Sequence, residues 1–197
     1  MPKDAIIPGI CKWFQERDIT CLAWDPRGIG ASDGEPRNDV NRPRQEAEHL
    51  HDAVTWLSKN PLIDVTKMAL WGLCFGGNVT LAAAALEIAA MISVAPLIDS
   101  TGLPERRQPI LELAMYDRAG RLEGDDPMYL PYVNEDGSVP NGLQLAADMM
   151  SALDRLGIPV ENRVTVQTYY RALTWSVLNL VEYIAPTPAM MVTPDPY

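Results

Sequence analysis

A chain of 197 residues that is 47% hydrophobic and 21% charged can bury one proper core, so a single domain over residues 1–197 is expected. Its net charge of -10 and pI near 4.6 argue against nucleic acid or an anionic membrane as partner, because a phosphate-tracking surface needs clustered lysine and arginine. Three cysteines, Cys11, Cys21 and Cys74, make no disulfide framework and suit a reducing compartment, the start lacks a signal-peptide apolar region, and no run approaches the roughly 20 residues of a membrane span.

In chain order, a helix is expected near Pro8–Glu16, followed by a short apolar run from Asp18 to Asp25 that reads as a buried parallel strand. That run ends in a turn-rich loop, Pro26-Arg27-Gly28-Ile29-Gly30-Ala31-Ser32-Asp33-Gly34. A helix from Pro43 to Ser58 places Leu50, Val54 and Leu57 at helical spacing and leaves Arg44, Glu46, Glu48 and Lys59 on a wet face. Next come a strand from Lys67 to Trp71, a tight turn, a helix from about Gly77 to Leu86, and a strand within Ile88–Pro96. Strands alternating with helices in this way predict an α/β fold, a parallel sheet flanked by helices on both sides. From Asp99 to Pro186 the prolines at 104, 109, 127, 131, 140 and 159 break the pattern, which predicts an insertion of loops and a few helices. One of those helices is capped by Asn141 and ended by Gly157, with Leu145, Met149 and Leu156 on one side. Another runs from about Val166 to Tyr183, and Pro188–Thr193 reads as a late strand.

Chemistry is concentrated in Gly72-Leu73-Cys74-Phe75-Gly76-Gly77, directly after Met68-Ala69-Leu70-Trp71. Strand, sharp turn and helix around G-x-Cys-x-G have the form of a nucleophile elbow, in which small neighbours let strand and helix approach closely. The helix that follows directs the positive end of its dipole at the sulfur and lowers the cost of a thiolate. A thiolate there is suited to acyl transfer from an ester or thioester, with the Phe75 N–H as one oxyanion donor. The alternative is an inert cysteine buried at a strand end. A dinucleotide site is disfavoured, since Asp33 stands where Gly28-Ile29-Gly30 would require a third glycine.

Asp25-Pro26-Arg27-Gly28-Ile29-Gly30-Ala31-Ser32-Asp33-Gly34 together with Trp71–Gly77 resembles the α/β-hydrolase superfamily. Val164–Tyr170 and Tyr183–Pro194 further resemble the fungal polyketide transferase and thiohydrolase group of secondary-metabolite clusters, including those for host-selective toxins. The resemblance implies a partial α/β-hydrolase fold with a helical, lid-like insertion over residues 99–186, core segments at 1–98 and 187–197, and no cofactor or metal. It also implies Cys74 as nucleophile, Phe75 as oxyanion donor, and Asp25, Arg27 and Gly28 in a structural loop beside the elbow. Its substrates would be acyl esters or thioesters, including those carried by a polyketide synthase. A cytoplasmic location is expected; some fungal relatives are peroxisomal, but Asp195-Pro196-Tyr197 is not a signal of the S-K-L type.

The same resemblance marks departures. The superfamily order is nucleophile, acid, histidine, yet His49 and His51 both precede Cys74. Lying two apart on a helix, they face different sides and have neither the position of a base nor the i, i+4 spacing of a metal pair. Asp195 falls roughly where a triad carboxylate would stand, or is simply an aspartate in a frayed tail. An early oxyanion loop and a late histidine loop are not found, so the chain is expected to be truncated at both ends relative to the group. Met149, Met150, Tyr169, Tyr170 and Trp175 either roof an acyl cleft or are ordinary core. Two readings follow: an acyl hydrolase or transferase, and a catalytically incomplete remnant that binds an acyl chain or a partner protein.

Overall fold

The computed structural model describes residues 2–40, 43–83, 88–97, 104–137 and 144–193. In chain order its elements are α1 (Ile7–Gln15), α2 (Pro43–Ser58), β1 (Ala69–Leu73), α3 (Phe75–Ala83), β2 (Ala90–Val94), α4 (Pro104–Glu123), β3 (Tyr129–Leu130), α5 (Gln144–Arg155), β4 (Val164–Thr165), α6 (Val166–Leu173) and β5 (Ala189–Val192). Two compact units result: Met1–Asn41 with Leu103–Tyr170, and Arg42–Gly102 with Arg171–Tyr197.

The second unit holds a parallel three-stranded sheet in the order β1-β2-β5, with Leu70 opposite Met91 and Ile92 opposite Met190. Alternation along the strands buries Leu70 and Gly72 of β1 and Met91 and Ser93 of β2. Helix α3 packs against both strands, and α2 packs against α3. From Gly77 to Ala83 every α3 residue is buried, which explains its run of small and apolar side chains. Ala47 and Leu50 of α2 join Leu70, Val79, Leu81, Met91, Val177 and Ile184 in one core. Burial of each large aliphatic side chain there contributes about 2 kcal/mol.

In the first unit, β3 and β4 pair antiparallel, with Tyr129 opposite Thr165. Buried Asp117 of α4 accepts from Met128 N–H at 2.7 Å and from Gln167 Nε2 at 2.6 Å. Gln167 also donates to Ala114 O at 2.7 Å, so a buried polar network joins α4 to α6 with its donors and acceptors matched.

The expected helices at 8–16 and 43–58 and the late strand form nearly as read, except that Glu46, expected on the wet face of the second helix, is buried. Three expectations need correction. Residues 19–24 make no strand: Ile19, Leu22 and Trp24 are 48%, 41% and 39% exposed, because no neighbouring strand in the described residues supplies the ladder bonds that an extended segment needs. Prolines 104 and 109 do not break the chain: Pro104 opens α4, where a missing N–H costs nothing, and the helix continues through Pro109 with one interior N–H bond missing. The helix read from Val166 to Tyr183 stops at Leu173 and resumes as a 3-10 turn, Leu178–Tyr183. There Ser176 Oγ accepts from Leu178 N–H, a local bond that competes with continued helix. Leu86 and Asn141 lie outside the described residues.

Candidate active site

The turn between β1 and α3 is a single residue. Cys74 has φ of +57°, a conformation unfavourable for a side chain by about 1–2 kcal/mol, and it is held there from several sides. Its N–H donates to Val94 O at 2.9 Å, while its carbonyl accepts from Asn78 N–H at 3.2 Å and Leu97 N–H at 3.4 Å. Close packing depends on the glycines unequally. A Cβ on Gly72 would collide with Gly76 O and Thr80 Oγ1, and one on Gly77 would lie 2.7 Å from Ser93 Oγ. Gly76 has open space where a Cβ would go, so its role in the motif is not steric.

Cys74 is half-buried rather than sealed in hydrocarbon. Burial pushes its thiol above the ordinary value, and the Phe75 N–H, close enough to interact with the sulfur, pulls it part of the way back. Desolvation is the larger of the two causes, so the net shift runs against the lower thiolate cost expected from the helix start. The nearness of that N–H to the sulfur also suits an oxyanion formed on the same carbon.

Within the other unit, the Asp25 loop is bonded to itself. Buried Asp25 accepts from Lys3 N–H at 2.6 Å, Ala31 N–H at 2.9 Å and Lys3 Nζ at 3.0 Å. Burial pushes its carboxyl up, but those hydrogen bonds and the ammonium more than offset this and hold it below the usual carboxylate range. Gly30, at φ +54°, leaves no room for a Cβ, which would lie 2.5 Å from the Asp25 carboxyl carbon. Gly28 N–H donates to Asp33 O at 2.9 Å, and Asn38 N–H to Gly28 O at 2.9 Å. These are the bonds of a structural loop.

His49 and His51 both lie on α2. His49 Nδ1 is 3.9 Å from Glu46 Oε2, and His51 has a buried Nε2 without a hydrogen-bond partner and a pKa lowered by that burial. Asp195 lies outside the described residues, as does the Met149 side chain. Tyr169 is buried in the first unit, Met150 and Tyr170 are half-buried there, and Trp175 packs against the core of the second. Among the described residues, no group of three or more His, Cys, Asp or Glu could hold a metal ion, and no helix is long and apolar enough to cross a membrane. Sequence reasoning overlooked Asn78 and Leu97, which close around the Cys74 peptide. The available signal was an asparagine four residues after the cysteine in an otherwise small and apolar helix.

No family model matches the chain. It is 84% identical over 224 aligned residues to a polyketide transferase of Gibberella fujikuroi, covering 99% of this chain and 70% of that protein. A thiohydrolase of Eupenicillium brefeldianum is 32% identical, with 98% of this chain and 65% of that protein covered. Among solved structures, the α/β hydrolase GrgF from Penicillium sp. sh18 superposes with a TM-score of 0.89 at 75% identity, over 100% of this chain and 68% of GrgF. The structure of DcsB in complex with its substrate analogue gives 0.85 at 34% identity, over 99% of this chain and 68% of that one. A parallel sheet, a one-residue elbow after β1 and these similarities agree: the chain belongs to the polyketide transferase and thiohydrolase family of α/β hydrolases.

Proposed function

We propose that this chain transfers or hydrolyses polyketide-type acyl groups held as thioesters or esters, with Cys74 as the nucleophile. The observation that carries this reading is the left-handed backbone of Cys74 at a one-residue strand-to-helix turn, with the Phe75 N–H beside the sulfur. After the thiol has released its proton to solvent, the sulfur adds to the acyl carbon and the carbonyl electrons move onto oxygen. That oxygen accepts from Phe75 N–H. Collapse re-forms the carbonyl and expels the substrate's thiolate, which takes up a proton from solvent. Water or an acceptor hydroxyl then removes the acyl group by the same steps in reverse.

A raised thiol pKa disfavours the first step at neutral pH, and neither histidine has been assigned as its base. With no base assigned among the described residues, slow acylation and still slower deacylation are expected, since a general base commonly contributes about 10² to 10⁴ in rate. Incubation with an activated short-chain thioester, followed by intact mass measurement, tests the reading. An acyl adduct that Cys74→Ala abolishes supports it. Absence of any adduct overturns it, in favour of a chain that keeps the fold and binds an acyl group or partner without reacting.

A further inference from the structure

The proposed mechanism leaves one buried group beside the elbow unused. Asn78 is only 4% exposed; its Nδ2 donates to Leu97 O at 2.8 Å, while its Oδ1 is buried without a partner. An amide with its acceptor orphaned in this way is costlier to bury than a leucine of similar size, so its bond to Leu97 is what distinguishes it here. Leu97 is thereby tied at both of its peptide groups. Its N–H donates to Cys74 O at 3.4 Å, and its C=O accepts from Asn78, whose own N–H reaches the same Cys74 oxygen at 3.2 Å. The segment leading to Leu97 is fixed as well: Ala95 has φ of +42° and donates its N–H to Val192 O at 2.7 Å.

We infer that Asn78 is a positioning residue that holds residues 95–97 against Cys74, so that the Leu97 side chain forms one wall of the path by which an apolar acyl chain reaches the thiol. This rests on the reading of Cys74 as acyl acceptor and adds a determinant of acyl-group choice. Leu97 is half-buried and aliphatic, so the wall favours hydrocarbon over polar groups next to the reacting carbonyl.

Cys11→Ser with Cys21→Ser leaves Cys74 as the chain's single thiol. In that parent, alkylation by iodoacetamide and by N-octyl iodoacetamide, which share a reacting carbon and differ in their apolar tail, is timed by intact mass. Asn78→Leu and Asn78→Asp each remove the donor to Leu97. Each is expected to slow the long probe about tenfold relative to the short one and to speed hydrogen exchange at the Leu97 amide, with the pH midpoint of short-probe alkylation unchanged for Asn78→Leu. An unchanged long-to-short ratio in a folded variant overturns the inference. So does an equal fall in both rates alongside the melting temperature, which is what a merely structural role produces. Should neither variant fold, Leu97→Ala in the same parent decides: a changed long-to-short ratio supports the inference, and an unchanged one overturns it. Neither probe is an acyl donor, so these results are read separately from thioester acylation, whose failure in the parent removes only the proposed function.

Discussion

Replacement of Gly72 by alanine tests the packing that creates the elbow. The added methyl meets Gly76 O and Thr80 Oγ1, and Thr80 Oγ1 is itself hydrogen-bonded to Gly76 O at 2.8 Å, so neither obstacle is a flexible side-chain end. Relief requires β1 and α3 to separate. Overpacking of this kind costs about 1–3 kcal/mol, and a backbone obstacle places Gly72→Ala at the upper end. Gly76→Ala is the matched control. It lies inside α3 with open space at its Cβ, and alanine there should be neutral or stabilising by up to about 1 kcal/mol, because glycine loses more chain entropy in a helix. Urea unfolding of the three proteins, compared at equal m-value, measures both effects. Gly72→Ala within about 0.5 kcal/mol of the parent, or Gly76→Ala as harmful as Gly72→Ala, would refute the reasoning, the first value being the ordinary spread of inconsequential substitutions.

Asp25→Asn should lower stability by about 2 kcal/mol at neutral pH, since several charge-assisted bonds to a buried carboxylate are lost. The folded carboxyl titrates below its unfolded value, so its contribution is present above about pH 4 and is lost as pH falls through the folded pKa. Unfolding of parent and variant at pH 7 and at successively lower pH should therefore converge, and a constant gap contradicts the assignment. For Cys74 the sign is opposite. Its raised pKa means that iodoacetamide labelling is slow at neutral pH and rises with a midpoint above that of the urea-unfolded chain, whereas a midpoint below it would mean the dipole wins. Tyr169→Phe removes a buried hydroxyl without a partner and is expected to leave stability unchanged or raise it by about 1 kcal/mol; a loss above that, in thermal melts, would reveal a bond to the hydroxyl.

Local signals in the sequence located the elbow and the helices that make their own case. Pro43–Ser58 carries an apolar stripe at helical spacing, and Gly72–Gly77 forces a turn that few other residue sets allow. Strand identity was less legible, because an apolar run such as 18–25 becomes a strand only if another strand lies beside it, a fact of tertiary pairing and not of the run. Prolines misled for a similar reason: Pro104 is harmless where α4 begins, and composition does not reveal where a helix begins. At the elbow, residue types singled out Cys74 and Phe75 as the turn and the helix start. Its thiol pKa did not show, because burial competes with the helix dipole and only packing reveals how far the sulfur is desolvated. Asn78 and Leu97 escaped notice since their link to Cys74 is made largely through backbone carbonyls, which every residue possesses.

The central claim is that the sulfur of Cys74 accepts an acyl group, and peptide mapping after exposure to an octanoyl thioester tests it most directly. The account predicts an octanoyl mass confined to the peptide containing Cys74, absent in Cys74→Ala and slow to leave. Acylation confined to Cys11 or Cys21, or an adduct that persists undiminished in Cys74→Ala, would contradict it.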